Sequence, residues 1–251
     1  MTAPTVIVHP DADVLAQAVS ARLVTALADV QASGRVASWV LTGGTIADRV
    51  HRAVAASPAR GAVDWSRVEL WWGDERYLPS GDEQRNETQA RAALLDQVPF
   101  NPARVHPMPA SGEGVGDPDA AAASYAEELT AASAGEGSQA QPRFDVLMLG
   151  VGPDGHVASL FPGRSTLHDE RPVAAVRDAP KPPPTRLTLT MSTLRRAREV
   201  WFIASGKEKA AAVELALSGA DVVHVPAAGP RGLERTLWLL DRDAASTAGV
   251  Q

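Results

Sequence analysis

The sequence predicts an α/β fold with a mostly parallel sheet and helices on both faces. Three observations carry that expectation. Short apolar runs of strand length alternate with longer stretches whose apolar residues recur at helical spacing. Four of the apolar runs end in polar or glycine-rich loops, and in an open parallel sheet the ligand crevice lies beyond the carboxyl ends of the strands. The 251 residues, 45% hydrophobic and 22% charged, can bury a sizeable core and are read as a single domain, 1–251.

TVIVH (5–9) is a short strand. Asp11 or Asp13 caps the next helix, in which Leu15, Val19, Leu23, Leu27 and Val30 share a face and Gly34 closes the end. VASWVL (36–41) is the second strand, followed by TGGT and a helix to about Ala56. SPARGAVDW is a turn-rich connector, and RVELWW (67–72) a third strand that ends in GDER. Residues 84–97 read as helix, with Ala90, Leu94, Leu95 and Val98 on one side. A proline-rich loop leads to a helix near 117–133, and GEGSQAQPR (135–143) has the composition of a flexible linker. The second half repeats the rhythm. VLMLG, PVAAVR (172–177), RLTLT (186–190), EVWFIA (199–204), VVHVP and LWLLD read as strands, KPPP as an extended segment, and Lys207 to Leu217 as a helix.

A formal net charge of −6 argues against a nucleic-acid binder but leaves room for a small basic pocket. With no cysteine there is no disulfide, thiolate metal site or cysteine nucleophile. The N-terminus MTAPTVIVHP lacks the basic start of a signal peptide, and no apolar stretch nears ~20 residues, so a cytoplasmic protein without membrane contact is expected.

Four loops carry the chemistry. In TGGT (Thr42–Thr45) two glycines let the backbone approach an anion, and helix-start N–H groups with threonine hydroxyls can donate to it; a plain capped turn fits the same residues. GDER offers Asp74 and Glu75 as base or acceptor and Arg76 as a phosphate clamp, or else forms a salt-bridged turn, with Asn86 capping the helix beyond. GVGPDG matches G-x-G-x-x-G literally, with Asp178 after the next strand. The dinucleotide fingerprint, however, needs a regular helix from its third glycine, and Pro162-Gly163 cut any helix short seven residues after Gly155. His156 in that loop reads as a proton-exchanging imidazole with Asp154 beside it. The other histidines, His9, His51, His106, His168 and His224, lack metal-ligand spacing. SGKEKA places Lys207 and Lys209 at a helix start, against the helix dipole, where an anion can hold them, or else they form a solvated first turn, a reading that suits Lys207 better than Lys209; Arg186 adds a further positive group, and KPPP a rigid rim.

These stretches together resemble the 6-phosphogluconolactonase family of the pentose phosphate pathway. LTGGT, WWGDERYLP, FDVLMLGVGPDGHVASLFPG, PPPTRLTLT and SGKEKA occur in the family's order and span about 40 to 215. The wider superfamily includes glucosamine-6-phosphate deaminase and has a modified Rossmann-like sheet. Two departures stand out. After Gly43-Gly44-Thr45 come Ile46-Ala47-Asp48, where the family loop often reads Gly-Gly-Ser/Thr-Thr-Pro, and SLFPG (159–163) stands where deaminases carry Asn-Glu-Pro. The resemblance implies hydrolysis of 6-phospho-D-glucono-1,5-lactone. Thr42, Gly43, Gly44, Thr45, Arg76, Gly155, Arg186 and Lys209 would bind substrate, with His156 as general base, Asp154 orienting it, Asp74 on sugar hydroxyls, and backbone N–H groups of the glycine-rich loop on the oxyanion. It implies no metal or cofactor, a small sugar-phosphate partner, and a monomer or weak homodimer. A glucosamine-6-phosphate deaminase or isomerase and a non-catalytic sugar-phosphate sensor remain the rival readings.

Overall fold

A computed structural model describes residues 3–112, 116–133 and 143–248. Its centre is a seven-stranded sheet in the order β1 (Thr5–His9), β10 (Arg235–Asp241), β9 (Glu199–Ala204), β6 (Val146–Gly150), β2 (Ala37–Leu41), β3 (Val68–Trp72) and β5 (Val105–His106), with every pair parallel. The helices between strands are α1 (Ala12–Ala32), α2 (Thr45–Ala56), α3 (Asn86–Ala93), α4 (Pro118–Ala132), α5 (Met191–Leu194) and α6 (Ala210–Leu217). Parallel strands buried on both faces read as continuous apolar runs. Here Trp39, Trp71, Trp72, Trp201 and Trp238 all lie on strands with almost no exposure.

Local chemistry sets the helix limits. Asp11, not Asp13, caps α1, its Oδ1 accepting from Asp13 N (3.0 Å) and Val14 N (2.9 Å). Gly34, at φ +83°, follows the helix end, as foreseen. Asp117 caps α4, with proline at its first position.

Five expectations are corrected. GDER is not a loop: Asp74–Arg76 form β4, which joins β8 (Arg186–Leu189) and β7 (Val173–Val176) in a separate antiparallel sheet, β4-β8-β7. PVAAVR and RLTLT therefore lie outside the parallel sheet. VVHVP is not a strand. Asp221 turns the chain there, its Oδ1 accepting from Val223 N and its carbonyl from His224 N and Val225 N. The 84–97 helix breaks at Leu94; Gln97 donates to the last carbonyls, Ala92 O and Ala93 O, and a 3₁₀ turn covers Leu95–Gln97. The Lys207 helix begins as a 3₁₀ turn, Lys207–Lys209, ahead of α6. The linker expected at 135–143 lies outside the described residues except for Arg143.

Among the described residues no helix is long and apolar enough to cross a membrane.

Candidate active site

The carboxyl ends of β2, β6 and β9 open onto one cleft of about 520 Å³, and β4 with the residues before β8 forms its far wall. Thr42, Gly43, Gly44 and Thr45 reach it from β2, Asp74 and Arg76 from β4, His156 from the loop after β6, and Lys209 from the turn after β9. Arg186 also lines it. Segments far apart in the chain thus meet where the strand-end pattern placed them.

The loop after β6 folds back on itself. Gly155 N donates to Gly152 O (2.9 Å), and Gly152 N to His156 O (2.9 Å). Gly155 sits at φ +82°, where an L side chain is strained, and its carbonyl accepts from Ala227 N (2.9 Å). It packs against Val225 and does not line the cleft. Turns rather than a helix follow it as far as Gly163, which removes the dinucleotide reading.

His156 Nδ1 lies 2.5 Å from Asp154 Oδ1. Burial pushes the Asp154 carboxyl up, but the hydrogen bond and charge of His156 outweigh it and bring it down to about 2. An ionised carboxylate only accepts, so Nδ1 is the donor and Nε2 is left as the basic nitrogen of the neutral ring. The imidazole packs on Phe161, centroids 4.6 Å apart, and the Arg186 guanidinium lies 5.7 Å from the same phenyl ring. A Cβ at Gly152 would stand 2.0 Å from His156 Nδ1, so glycine is required for the close approach.

Among the described residues five cations line the cleft, Arg49, Arg76, Lys181, Arg186 and Lys209, against two carboxylates, Asp74 and Glu208. This local excess stands on a chain of net charge −6. Gly44 is the N-cap of α2 at φ +98° with no side-chain cap, so the first-turn N–H groups of α2 receive no side-chain acceptor from it. Thr42 is buried, its Oγ1 accepting from Gly150 N (3.3 Å) and tying the TGGT loop to β6. Lys209 is half-buried and lowered in pKa, first by burial. Lys207 is exposed and outside the cleft. Among the described residues the buried Arg76 Nε has no partner, while its Nη1 donates to Gln84 O.

Asp74 and Glu75 diverge. Asp74 lines the cleft, its Oδ2 accepting from Ser159 Oγ (2.6 Å) and its carbonyl from Asn86 Nδ2 (2.8 Å). Glu75 points inward, fully buried, where its oxygens accept from Arg76 N, Asn86 N and Glu87 N. It therefore caps α3, the role expected of Asn86. Burial pushes its carboxyl up to about 7, against the opposing charge of Arg85. Sequence reasoning passed over Lys181, treated only as part of a rim, Asn86, read as a cap, and Ser159 and Phe161, both inside a quoted motif.

No group of three or more His, Cys, Asp or Glu side chains suited to a metal ion occurs among the described residues.

The family model described as glucosamine-6-phosphate isomerases/6-phosphogluconolactonase matches residues 10–238. A 6-phosphogluconolactonase of Streptomyces coelicolor is 56% identical over 245 residues, 97% of this chain and 94% of that protein. One of Mycobacterium tuberculosis is 50% identical over 241 residues, 95% and 96% of the two chains. Among solved structures, the 6-phosphogluconolactonase of Trypanosoma brucei superposes with a TM-score of 0.81 at 26% identity, covering 98% of this chain and 99% of that one. A monomeric glucosamine-6-phosphate deaminase reaches a TM-score of 0.78 at 21% identity, covering 97% and 99%, a likeness of fold alone.

Proposed function

The chain belongs to the glucosamine-6-phosphate isomerase/6-phosphogluconolactonase family, and we infer that within it the protein is a lactonase that hydrolyses 6-phospho-D-glucono-1,5-lactone to 6-phosphogluconate in the oxidative pentose phosphate pathway. The observation that carries this reading is the imidazole of His156, held by Asp154 and lining a cleft with an excess of positive charge.

The phosphate dianion is met by the N-terminal turn of α2 at Gly43, Gly44 and Thr45, with Arg76 and Lys209 neutralising its charge. His156 Nε2 takes a proton from a water molecule as that water attacks the lactone carbonyl. The carbonyl π electrons move onto oxygen, giving a tetrahedral oxyanion. As the intermediate collapses, the ring C–O bond breaks and the protonated imidazole returns its proton to the departing ring oxygen. Asp154 holds the imidazole in the required tautomer and stabilises the imidazolium. The N–H groups of Gly152 and Gly155 are engaged within their own loop, so oxyanion stabilisation falls to the positive field of the cleft rather than to these two glycines.

Asp74 is held between Ser159 and Asn86, which supports a fixed acceptor for a sugar hydroxyl rather than a mobile base. Ser159 belongs to the SLFPG stretch that replaces the deaminases' Asn-Glu-Pro, a replacement that favours lactone hydrolysis over amino-sugar chemistry. One chain carries the whole constellation, which supports action as a monomer or weak homodimer. A cytoplasmic setting and a small sugar-phosphate partner accompany the assignment.

The test is turnover above the spontaneous hydrolysis of the lactone, followed by acid release with 6-phosphogluconate identified as product. Ammonia release from glucosamine 6-phosphate would identify a deaminase. Binding of 6-phosphogluconate without turnover would identify a sensor.

A further inference from the structure

Lys181 lines the cleft although it is exposed and lies on a segment with no regular secondary structure. The chain between β7 and β8 forms a small closed lip, with Ala179 N donating to Pro184 O (2.9 Å) across its base. Arg186, at the foot of the lip and itself buried, donates inward to three consecutive carbonyls: Nη2 to Lys181 O (3.0 Å) and Pro182 O (3.2 Å), and Nε to Pro183 O (3.2 Å). Three prolines, 182–184, stiffen the chain beside the lysine. The result is a rigid mount with a cation at its tip.

Two features of the charge distribution indicate what that cation faces. Lys181 has no carboxylate within salt-bridge distance among the described residues, nor does Lys209, the half-buried lysine on the same cleft. The two are close enough for the charge of Lys181 to disfavour protonation of Lys209, while Glu208 and Asp154 favour it. Like charges drawn together around one cleft are relieved by an anion between them. Arg186 is a different kind of cation. Its guanidinium donors Nε and Nη2 are directed to lip carbonyls, and its Cζ lies over the ring of Phe161, which packs on His156.

We propose that Lys181 is a second lysine contact to the substrate phosphate, opposite Lys209, and that Arg186 is a positioning residue that fixes the Lys181 lip rather than a phosphate ligand. This inference rests on the sugar-phosphate reading given above. It separates two cations that the sequence alone groups together.

The experiment compares 6-phosphoglucono-1,5-lactone with glucono-1,5-lactone, which lacks the phosphate, as substrates of wild type, Lys181→Gln, Lys181→Arg, Arg186→Gln and the double variant Lys181→Gln/Arg186→Gln. Lys181→Gln should lower the preference for the phosphorylated lactone about tenfold, through KM rather than kcat, the loss expected for one charge-assisted contact. Lys181→Arg should recover most of it. Arg186→Gln should reproduce the KM defect, and the double variant should be no worse than the more impaired single one, because the two residues act as one unit. Pro182→Gly, which loosens the lip without touching the Arg186 donors, should give a milder form of the same defect if Arg186→Gln fails to fold. An unchanged preference in Lys181→Gln, or an equal loss with both lactones, overturns the phosphate contact. Additive losses in the double variant overturn the positioning role. If wild type hydrolyses neither lactone, the lactonase reading falls. Calorimetric binding of 6-phosphogluconate against gluconate by wild type and Lys181→Gln then decides the Lys181 contact on its own.

Discussion

Asp154 and His156 lie two residues apart, and their side chains meet at 2.5 Å across a turn closed by Gly152. The carboxylate stays ionised down to about pH 2, so throughout the working range it presents a fixed negative charge to Nδ1. His156→Ala should lower kcat by ~10² to 10⁴ while keeping affinity for 6-phosphogluconate. Asp154→Asn preserves shape but removes the charge and the tautomer preference. It should lower kcat by a smaller factor, at least about tenfold, with KM little changed. Steady-state kinetics with product-binding calorimetry checks both. Equal loss of turnover and affinity in His156→Ala would make the imidazole a binding group.

Gly152 tests the same pair from the backbone side. A methyl group there would stand 2.0 Å from His156 Nδ1 and 2.5 Å from Asp154 Oδ1, so the dyad must move. Gly152→Ala should lose kcat by ~10² or more, comparable to removing the base, while thermal melting shows a folded protein. Gly61→Ala is the control, since a Cβ there meets nothing within 4 Å.

The inner strands of the parallel sheet, β2, β3, β6, β9 and β10, were legible because they are buried on both faces and therefore mostly apolar, whereas the two-residue β5 fell in the proline-rich loop. Their loops are marked by glycine and charge, and those signals led to His156, Gly43, Gly44 and Lys209. The second sheet was hidden for a physical reason. β4 is three residues long and made of Asp74, Glu75 and Arg76, so no hydrophobic period identifies it. Its pairing with β8 is long-range, Arg76 opposite Arg186, and leaves no local trace. VVHVP misled in the opposite sense, since β-branched residues suggested a strand where the Asp221 carboxylate and carbonyl bind the backbone into a turn.

The Glu75–Arg85 pair is a structural prediction. Arg85 is almost fully buried, 3.9 Å from Glu75 and 3.6 Å from Glu87, and donates to Met108 O (2.7 Å). Removing it leaves Glu75 a buried acid without a counter-charge. Arg85→Met should cost about 3–5 kcal/mol in denaturant unfolding. Adding Glu75→Gln should restore part of that in measurements above pH 7, where the buried carboxyl, raised beyond about 7 once Arg85 is gone, must hold a proton or carry an unpaired charge. A double variant as unstable as the sum of the singles would show that the pair is not coupled.

His106 gives a pH signature of stability away from the cleft. Its ring stacks on Trp71 with centroids 3.9 Å apart, and its nitrogens lie 2.7 Å from Glu69 and 2.6 Å from Glu128. Burial opposes its protonation, but the hydrogen bonds and charges of Glu128 and Glu69 prevail and raise it to about 9. In the unfolded chain an imidazole titrates near 6.5. Between these values the folded state binds the extra proton, so stability is fully present below about pH 6.5 and is lost as pH rises toward 9. His106→Gln should lower the melting temperature at pH 6 and flatten its decline between pH 6.5 and 9, so that wild type and variant converge at alkaline pH. Melting curves across that range decide it: parallel pH profiles for the two proteins would mean that the imidazolium bridge between Glu69 and Glu128 contributes nothing to holding β3 and β5 against α4.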